Sequence, residues 1–398
     1  MNSTLHRILN GLCRYFPSFA FLMSVVLLAV TQDVIFIFPV VLIIMVEACW
    51  TILFHKKALD IETPIPNIPS QPYHPSVVFF NKPWNGWKYW MVFTPMPLNA
   101  EPYPDRWENP CVVSSNDGIN WAYPNGEIKS IDDLTEDEIA MHSYYSDPDM
   151  VYCEEYAKLR VYYRKNSGAD AKDISLYFQE SSDGINWGGR RRALLCDDII
   201  KHRPVSPTFV YKKNKYEMWF VTEGGDKKNI YYSTSTDGLA WYNIHICCFL
   251  TREKLCNPWH IDCQQYIDKY IMTIYELSNS ISVWESNDGL IFTFVRTIIH
   301  PNKILGSFYN GGLYRACMVK TAECYRVFFS ARNRRKTFIG IAEGKNISDI
   351  HIINGTKRIA ASDFFFDYVY KYTQSCRGII KLLNLLKSKC ANRLEDKT

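Results

Sequence analysis

Three short motifs place carboxylates and imidazoles at spacings suited to moving protons. His74-Pro75-Ser76, Asp147-Pro148-Asp149 and His260-Ile261-Asp262 each hold two polar side chains two residues apart. Alternation along an extended strand turns such a pair to one side. Ser206-Pro207-Thr208 and Arg315-Ala316-Cys317 continue the series. Asp147, Asp149 and Asp262 are candidates for acid, base or orienting carboxylate, with His74 and His260 as proton carriers near neutral pH. Burying so many polar groups without partners would cost several kcal/mol. They therefore serve a ligand, or they bond to one another and to a column of water.

The elements that must hold these motifs are β-strands. One turn recurs four times, as Asn116-Asp117-Gly118-Ile119-Asn120-Trp121, Asp183-Gly184-Ile185-Asn186-Trp187, Asp237-Gly238-Leu239-Ala240-Trp241 and Asp288-Gly289-Leu290-Ile291-Phe292. Asp-Gly marks a tight turn between strands, and the aromatic residue after it can pack back on the repeat. This gives the four aspartates a structural role. Each turn follows two or three β-rich runs, such as Leu159 to Arg164 and Tyr216 to Thr222. Four strands in a unit of about 50 residues make a propeller blade, and the series gives five. The first strand of each blade lines the central channel, so the five motifs meet at one funnel mouth.

Composition agrees with a large β-rich body. The chain has 398 residues, 47% hydrophobic and 22% charged, with 11 Trp and 26 Tyr, aromatic side chains that fill β cores or stack on sugar rings. Its net charge of +4 is too small to mark a nucleic-acid partner. The 13 cysteines form no C-x-x-C pair and fit a reducing compartment, most of them as small core residues.

Residues 1–57 read as a membrane anchor. Apolar stretches from Tyr15 to Thr31 and from Val34 to Phe54 each approach the roughly 20 residues a spanning helix needs. Arg7 and Arg14 precede the pair and Lys56 and Lys57 follow it, which places both ends and the propeller in the cytoplasm. The competing topology is a single signal anchor with the body exported. Residues 58–72, with Pro64, Pro66, Pro69 and Pro72, read as a semi-rigid linker, residues 73–345 as the propeller and 346–398 as a C-terminal extension. Within that extension Gly378 to Lys389 alternates apolar residues and lysines at helical spacing, an amphipathic helix for membrane lipid or for docking.

The x-Pro-Ser and x-Pro-Asp strand starts, the Asp-Gly-x-x-Trp turns, Tyr144-Tyr-Ser-Asp-Pro-Asp149 and Trp259-His-Ile-Asp262 together resemble the five-bladed β-propeller superfamily of arabinanases, β-xylosidases, levansucrases and invertases. The resemblance covers roughly residues 70 to 345 and implies a carbohydrate ligand. In that superfamily a blade-one carboxylate is base or nucleophile, a blade-two aspartate tunes it, and a blade-three glutamate is the general acid. Blade two keeps an acid at Asp147 or Asp149. Blade one presents His74 and blade three Ser206 in place of the other two, although glycoside hydrolysis needs two carboxyl groups about 5 to 9 Å apart. Glu108, Glu223 and Glu276 lie on loops at the same mouth and could substitute.

A second signal is cationic. Arg164, Lys165, Arg315, Arg332, Arg334, Arg335 and Lys336 all fall at or near the mouth and suit a phosphate or a sugar carboxylate. The expected partners are thus a saccharide, with anionic or lipid-linked forms as candidates, and membrane lipid, but no nucleic acid. Tyr314, Arg315, Ser206, Glu108 and Arg164 are the expected binding residues. No cofactor or metal site is assigned, since His260 and Asp262 offer only two ligands, although the superfamily's central calcium or another ion would sit near them. The expected function is a membrane-anchored, glycosidase-like or glycosyl-transferring protein of a surface polysaccharide or its precursor. The alternative is a sugar-binding or scaffold propeller without catalysis.

Overall fold

A computed structural model describes residues 56–98, 106–167, 173–222, 228–250, 257–277, 279–301 and 307–357. Blade one holds β1 (Pro72–Trp84), β2 (Trp87–Pro95) and β3 (Cys111–Ser115). A crossover with helix α1 (Glu136–Ala140) leads to blade two, built from β4 (Tyr144–Cys153), β5 (Lys158–Ser167), β6 (Asp173–Ser181) and β7 (Arg191–Arg192). The chain then forms β8 (Leu194–Leu195) and α2 (Asp197–Ile200) before blade three, β9 (Pro204–Lys212), β10 (Lys215–Thr222), β11 (Ile230–Ser235) and β12 (Ala240–Ile246). After β13 (Cys248–Leu250), blade four follows as β14 (Pro258–Tyr266), β15 (Lys269–Glu276), β16 (Ser280–Ser286) and β17 (Ile291–Ile299). Blade five is β18 (Gly312–Lys320), β19 (Tyr325–Arg332), β20 (Thr337–Gly344) and β21 (His351–Ile352). Neighbouring strands within a blade are antiparallel, while β8 and β13 add parallel outer edges to blades three and four.

The innermost strands β1, β4, β9, β14 and β18 touch in sequence, and β18 returns to β1. This is the five-bladed, all-β propeller read from the repeat. Apolar residues fill the spaces between blades, as where Trp90 and Val92 of blade one meet Met150 and Val161 of blade two.

Each Asp-Gly turn is built alike. Asp117 Oδ1 accepts the Ile119 and Asn120 backbone N–H groups, both at 2.8 Å, and Asp183 does the same with Ile185 and Asn186. Gly184 has φ +75°, and a Cβ there would fall 2.1 Å from the Trp90 ring of the preceding blade. Only glycine meets both demands. Trp241 and Phe292, the aromatics closing two of the turns, are fully buried. None of the four aspartates lies in the funnel cluster described below.

Two expected boundaries move. Residues 58–72 are not a free linker at their start, because Leu59 N donates to Ile339 O at 2.9 Å and Lys357 N to Ala58 O at 2.9 Å. Leu59 and Ile61 are buried between blades one and five. Blade five also extends past residue 345 through β21 to Lys357. The apolar stretches of residues 15–54 and the amphipathic segment 378–389 lie outside the described residues, among which no helix is long and apolar enough to cross a membrane.

Candidate functional site

The motif strands begin with a bulge. In β1, β4 and β9 the pairing register shifts across His74-Pro75, Asp147-Pro148 and Ser206-Pro207. His74, Asp147 and Ser206 there adopt φ of +51°, +49° and +49°. A non-glycine residue held at positive φ stores local strain and is typical of sites that aim a side chain. The bulges turn His74 and Asp147 toward the axis, where His260 of β14 meets them.

These three form the centre of the site. One ligand atom from each of His74, Asp147 and His260 lies within 4.8 Å of the others, and all three residues are buried. His74 Nδ1 is fixed by Thr94 Oγ1 at 3.0 Å, which leaves its Nε2 without a partner. His260 Nδ1 stands 3.3 Å from Asp147 Oδ1, out of line for a full hydrogen bond, and its Nε2 has no partner. Asp147 Oδ2 accepts from Arg164 NH1 at 2.6 Å and from Ser206 N at 3.2 Å. Burial alone would raise the Asp147 carboxyl, but Arg164 and then His260 hold it well below the usual range. Burial pushes His74 down to about 3 and also lowers His260. The cluster is therefore one carboxylate facing two neutral imidazoles.

That donor set fits a divalent metal ion. Buried imidazole nitrogens normally find hydrogen-bond partners, and the orphaned ones here belong to residues about 3% exposed. Two neutral imidazoles and one carboxylate are ligands shared by zinc, iron and related ions. His260, which with Asp262 offered only two ligands, here groups with His74 and Asp147.

Asp149 and Asp262 lie in the layer beneath. Ser76 Oγ accepts from Met150 N at 3.1 Å, Asp149 Oδ2 from Phe209 N at 2.8 Å, and Thr208 Oγ1 from Cys263 N at 3.0 Å. Asp262 accepts from Gln264 Nε2 of its own blade at 3.3 Å, and its Oδ1 has no partner. Arg315, fully buried, crosses this layer to Asp149 Oδ1 at 2.7 Å. Burial raises both carboxyls, and the charge of Asp149 raises Asp262 further. Asp149, expected to be catalytic, is thus tied into interblade bonding through Ser76, Phe209 and Arg315, whereas Asp262 is not.

Several expected binding residues are also reassigned by their contacts. Ser206 Oγ is bound to the Ile261 backbone. Arg164 serves Asp147, Lys165 pairs with Glu138 of α1, and Arg315 points down the axis because the β18 bulge spans Tyr314-Arg315. Glu276 is held by Ser282 at 2.7 Å; Glu223 lies outside the described residues. Glu108 does reach the site. It has φ +55° and is buried, its Oε2 has no partner, and burial followed by the charge of Asp147 raises its carboxyl well above normal. Tyr314 caps the cluster, its ring 4.0 Å from that of His260, and Trp259 Nε1 donates to its hydroxyl at 2.9 Å. Tyr73 and Tyr275 flank Tyr314 at 5.2 and 5.3 Å. Sequence reasoning missed Tyr73, Trp259 and Tyr275, although two of them adjoin a motif.

The fold has known counterparts. The solved N-acetylgalactosamine deacetylase of F. plautii in complex with blood group B trisaccharide superposes with a TM-score of 0.61 and 21% identity, over 73% of this chain and 94% of that one. The RS223 β-xylosidase gives 0.50 at 14% identity, over 72% and 97%, and a GH43 β-1,3-galactosidase 0.52 at 13%, over 79% and 65%. The fold is that of the five-bladed glycosidase propellers. In sequence, a curated protein with this propeller fold, an A type blood N-acetyl-α-D-galactosamine deacetylase of Flavonifractor plautii, is 28% identical over 237 residues. The match takes in 49% of this chain and 29% of that relative. No family model matches the chain.

Proposed function

We propose that this protein hydrolyses the acetamido group of an N-acetylated sugar, with a divalent metal ion held by His74, Asp147 and His260. The observation that carries the reading is the buried cluster of one carboxylate and two imidazoles, each with an Nε2 that lacks a partner. A similar protein is a sugar deacetylase, which supports the same chemistry. When bound, the ion would supply Lewis-acid polarisation of the amide carbonyl.

The chain supplies the rest. Arg164 keeps Asp147 ionised and aimed. Glu108, whose carboxyl is raised well above normal by burial and then by the charge of Asp147, can donate a proton to the departing amine, as general acids with raised pKa do. Water adds its oxygen to the acetyl carbon, the C–N bond breaks, and acetate and the free amino sugar leave. Tyr314, Tyr275 and Trp259 offer partly exposed aromatic surface at the mouth for a sugar ring.

A second reading rests on Glu108 and Asp147 themselves. Their environments push their carboxyls in opposite directions, the pattern of a glycosidase acid and its partner. Product analysis separates the two. Incubation with N-acetylhexosamine oligosaccharides should release acetate and leave the chain length unchanged; shorter oligosaccharides without acetate would replace the deacetylase by a glycosidase, and no product at all would favour the sugar-binding scaffold. We also propose that residues 15–31 and 34–54 anchor the protein in a membrane with the propeller in the cytoplasm. A surface polysaccharide or its lipid-linked precursor would then be the substrate. A cysteine-accessibility assay at residue 398 tests the topology, and labelling from outside intact cells would overturn it.

A further inference from the structure

Of the cations expected at the mouth, Arg164, Lys165 and Arg315 are consumed by buried ion pairs. The blade-five hairpin between β19 and β20 carries Arg332, Arg334, Arg335 and Lys336 within five consecutive positions. Its turn is tightly made. Asn333, buried, accepts from Arg335 N and Lys336 N at 2.8 Å each and donates its own N–H to Lys336 O at 3.0 Å. Gln71, two residues before Tyr73, accepts from Thr337 N at 3.2 Å, which seats the hairpin beside the blade-one strand start.

Arg332 is the member that faces the site. It pairs in register with Gly312, two residues ahead of Tyr314. A Cβ on Gly312 would come within 3.3 Å of Arg332 Nε, so the glycine leaves room for the guanidinium over the start of the channel strand. Its charge acts on the hydroxyls of Tyr73 and Tyr275. Among the described residues Arg332 is exposed and joined to no carboxylate.

We propose that Arg332, presented by this hairpin, binds an anionic oxygen group, phosphate or carboxylate, on the saccharide that enters the funnel. A guanidinium offers two parallel N–H donors to such a group, and the three neighbouring cations raise the local potential that attracts it. The assignment rests on the funnel being a saccharide site, not on the acetyl chemistry. It narrows the substrate class to charged sugars.

Calorimetric titration of the full chain in detergent tests it with three probes: N-acetylgalactosamine, its 1-phosphate, and a disaccharide joining it to glucuronate. At least one charged probe should bind tenfold or more tightly than the neutral sugar, a preference that weakens with salt. The better of the two identifies the anion as phosphoryl or carboxylate. Arg332→Gln should bring charged and neutral probes to the same affinity, and Arg332→Lys should restore part of the difference. Equal affinities in the unaltered protein, no binding of any probe, or a preference that survives Arg332→Gln would each overturn the assignment. Acetate release is followed separately. A charged probe that binds through Arg332 and yields no acetate leaves the anion subsite standing and removes the deacetylase.

Discussion

At the funnel's centre, burial decides what each ionisable side chain can do. His74 and His260 are kept neutral by desolvation, while Asp147 stays charged because Arg164 lies against it. Neutral imidazoles beside a carboxylate are in the state that metal binding requires. Zinc or manganese should therefore raise the melting temperature, because an ion that binds only the folded state stabilises it by RT ln(1 + [L]/Kd), about 2.7 kcal/mol at a hundredfold excess over Kd. His260→Ala should abolish that rise, and differential scanning fluorimetry with and without chelator reads it directly. Glu108→Gln should lower acetate release by about 10² to 10⁴ with ligand affinity little changed; an undiminished rate would remove Glu108 as the acid. His74, Asp147 and His260 were legible in the sequence because each heads a strand motif. Their grouping was not, since spacing along the chain does not say which side chains a bulge turns to the axis. Asp149 looked equally catalytic for the same reason, and only its bonds to Ser76, Phe209 and Arg315 set it apart from the cluster.

The repeated turn is the element that sets the blades side by side. Gly184 and Gly238 stand at positive φ where a Cβ would strike Trp90 and Tyr162 of the preceding blade. Gly184→Ala should cost more than the roughly 1–2 kcal/mol of left-handed backbone strain alone, because the Trp90 ring must also move. Gly189→Ala, at a site with open space and ordinary φ, should change stability by less than about 0.5 kcal/mol. Urea midpoints at matched slopes compare them, and equal effects would mean that the turn does not carry the packing. The turn aspartates add an acid-sensitive part. Burial opposes ionisation of Asp183, but together the Asn186 and Ile185 N–H groups and the Asn186 and Ser181 side chains bring its carboxyl down to about 2. A depressed folded-state pKa contributes stability above the ordinary value near 4 that is lost as pH falls through about 2. Asp183→Asn should flatten the thermal stability profile across that window and leave it parallel to the unaltered protein above pH 5. This architecture was legible because Asp-Gly followed by an aromatic demands one local geometry wherever it recurs. The bulged starts of β1, β4 and β9 were not, since no residue pattern distinguishes a pre-proline bulge from a straight strand entry.

A propeller must join its last blade to its first, and here the chain does so with a segment whose prolines suggest a spacer. Ala58 pairs with Lys357, and Leu59 N reaches Ile339 O of β20. The Leu59 side chain enters the cluster shared by Val77 and Phe93 of blade one with Cys317 and Phe328 of blade five. Proline content marks a stiff chain without saying whether it runs free or lies against a sheet, so this role could not be read from composition. Leu59→Ala removes a fully buried side chain at the seam, a change that costs about 2–5 kcal/mol where the cavity cannot collapse. The funnel is shaped by all five inner strands, with His74 on β1 and Tyr314 on β18 facing one another across this seam at 5.4 Å between rings. Loosening the seam should therefore weaken metal affinity as well as global stability, although Leu59 is none of the three ligands. Denaturation and metal titration of Leu59→Ala, read together, check the link. A fall in stability with unchanged metal affinity would show that the seam holds the blades without positioning the site.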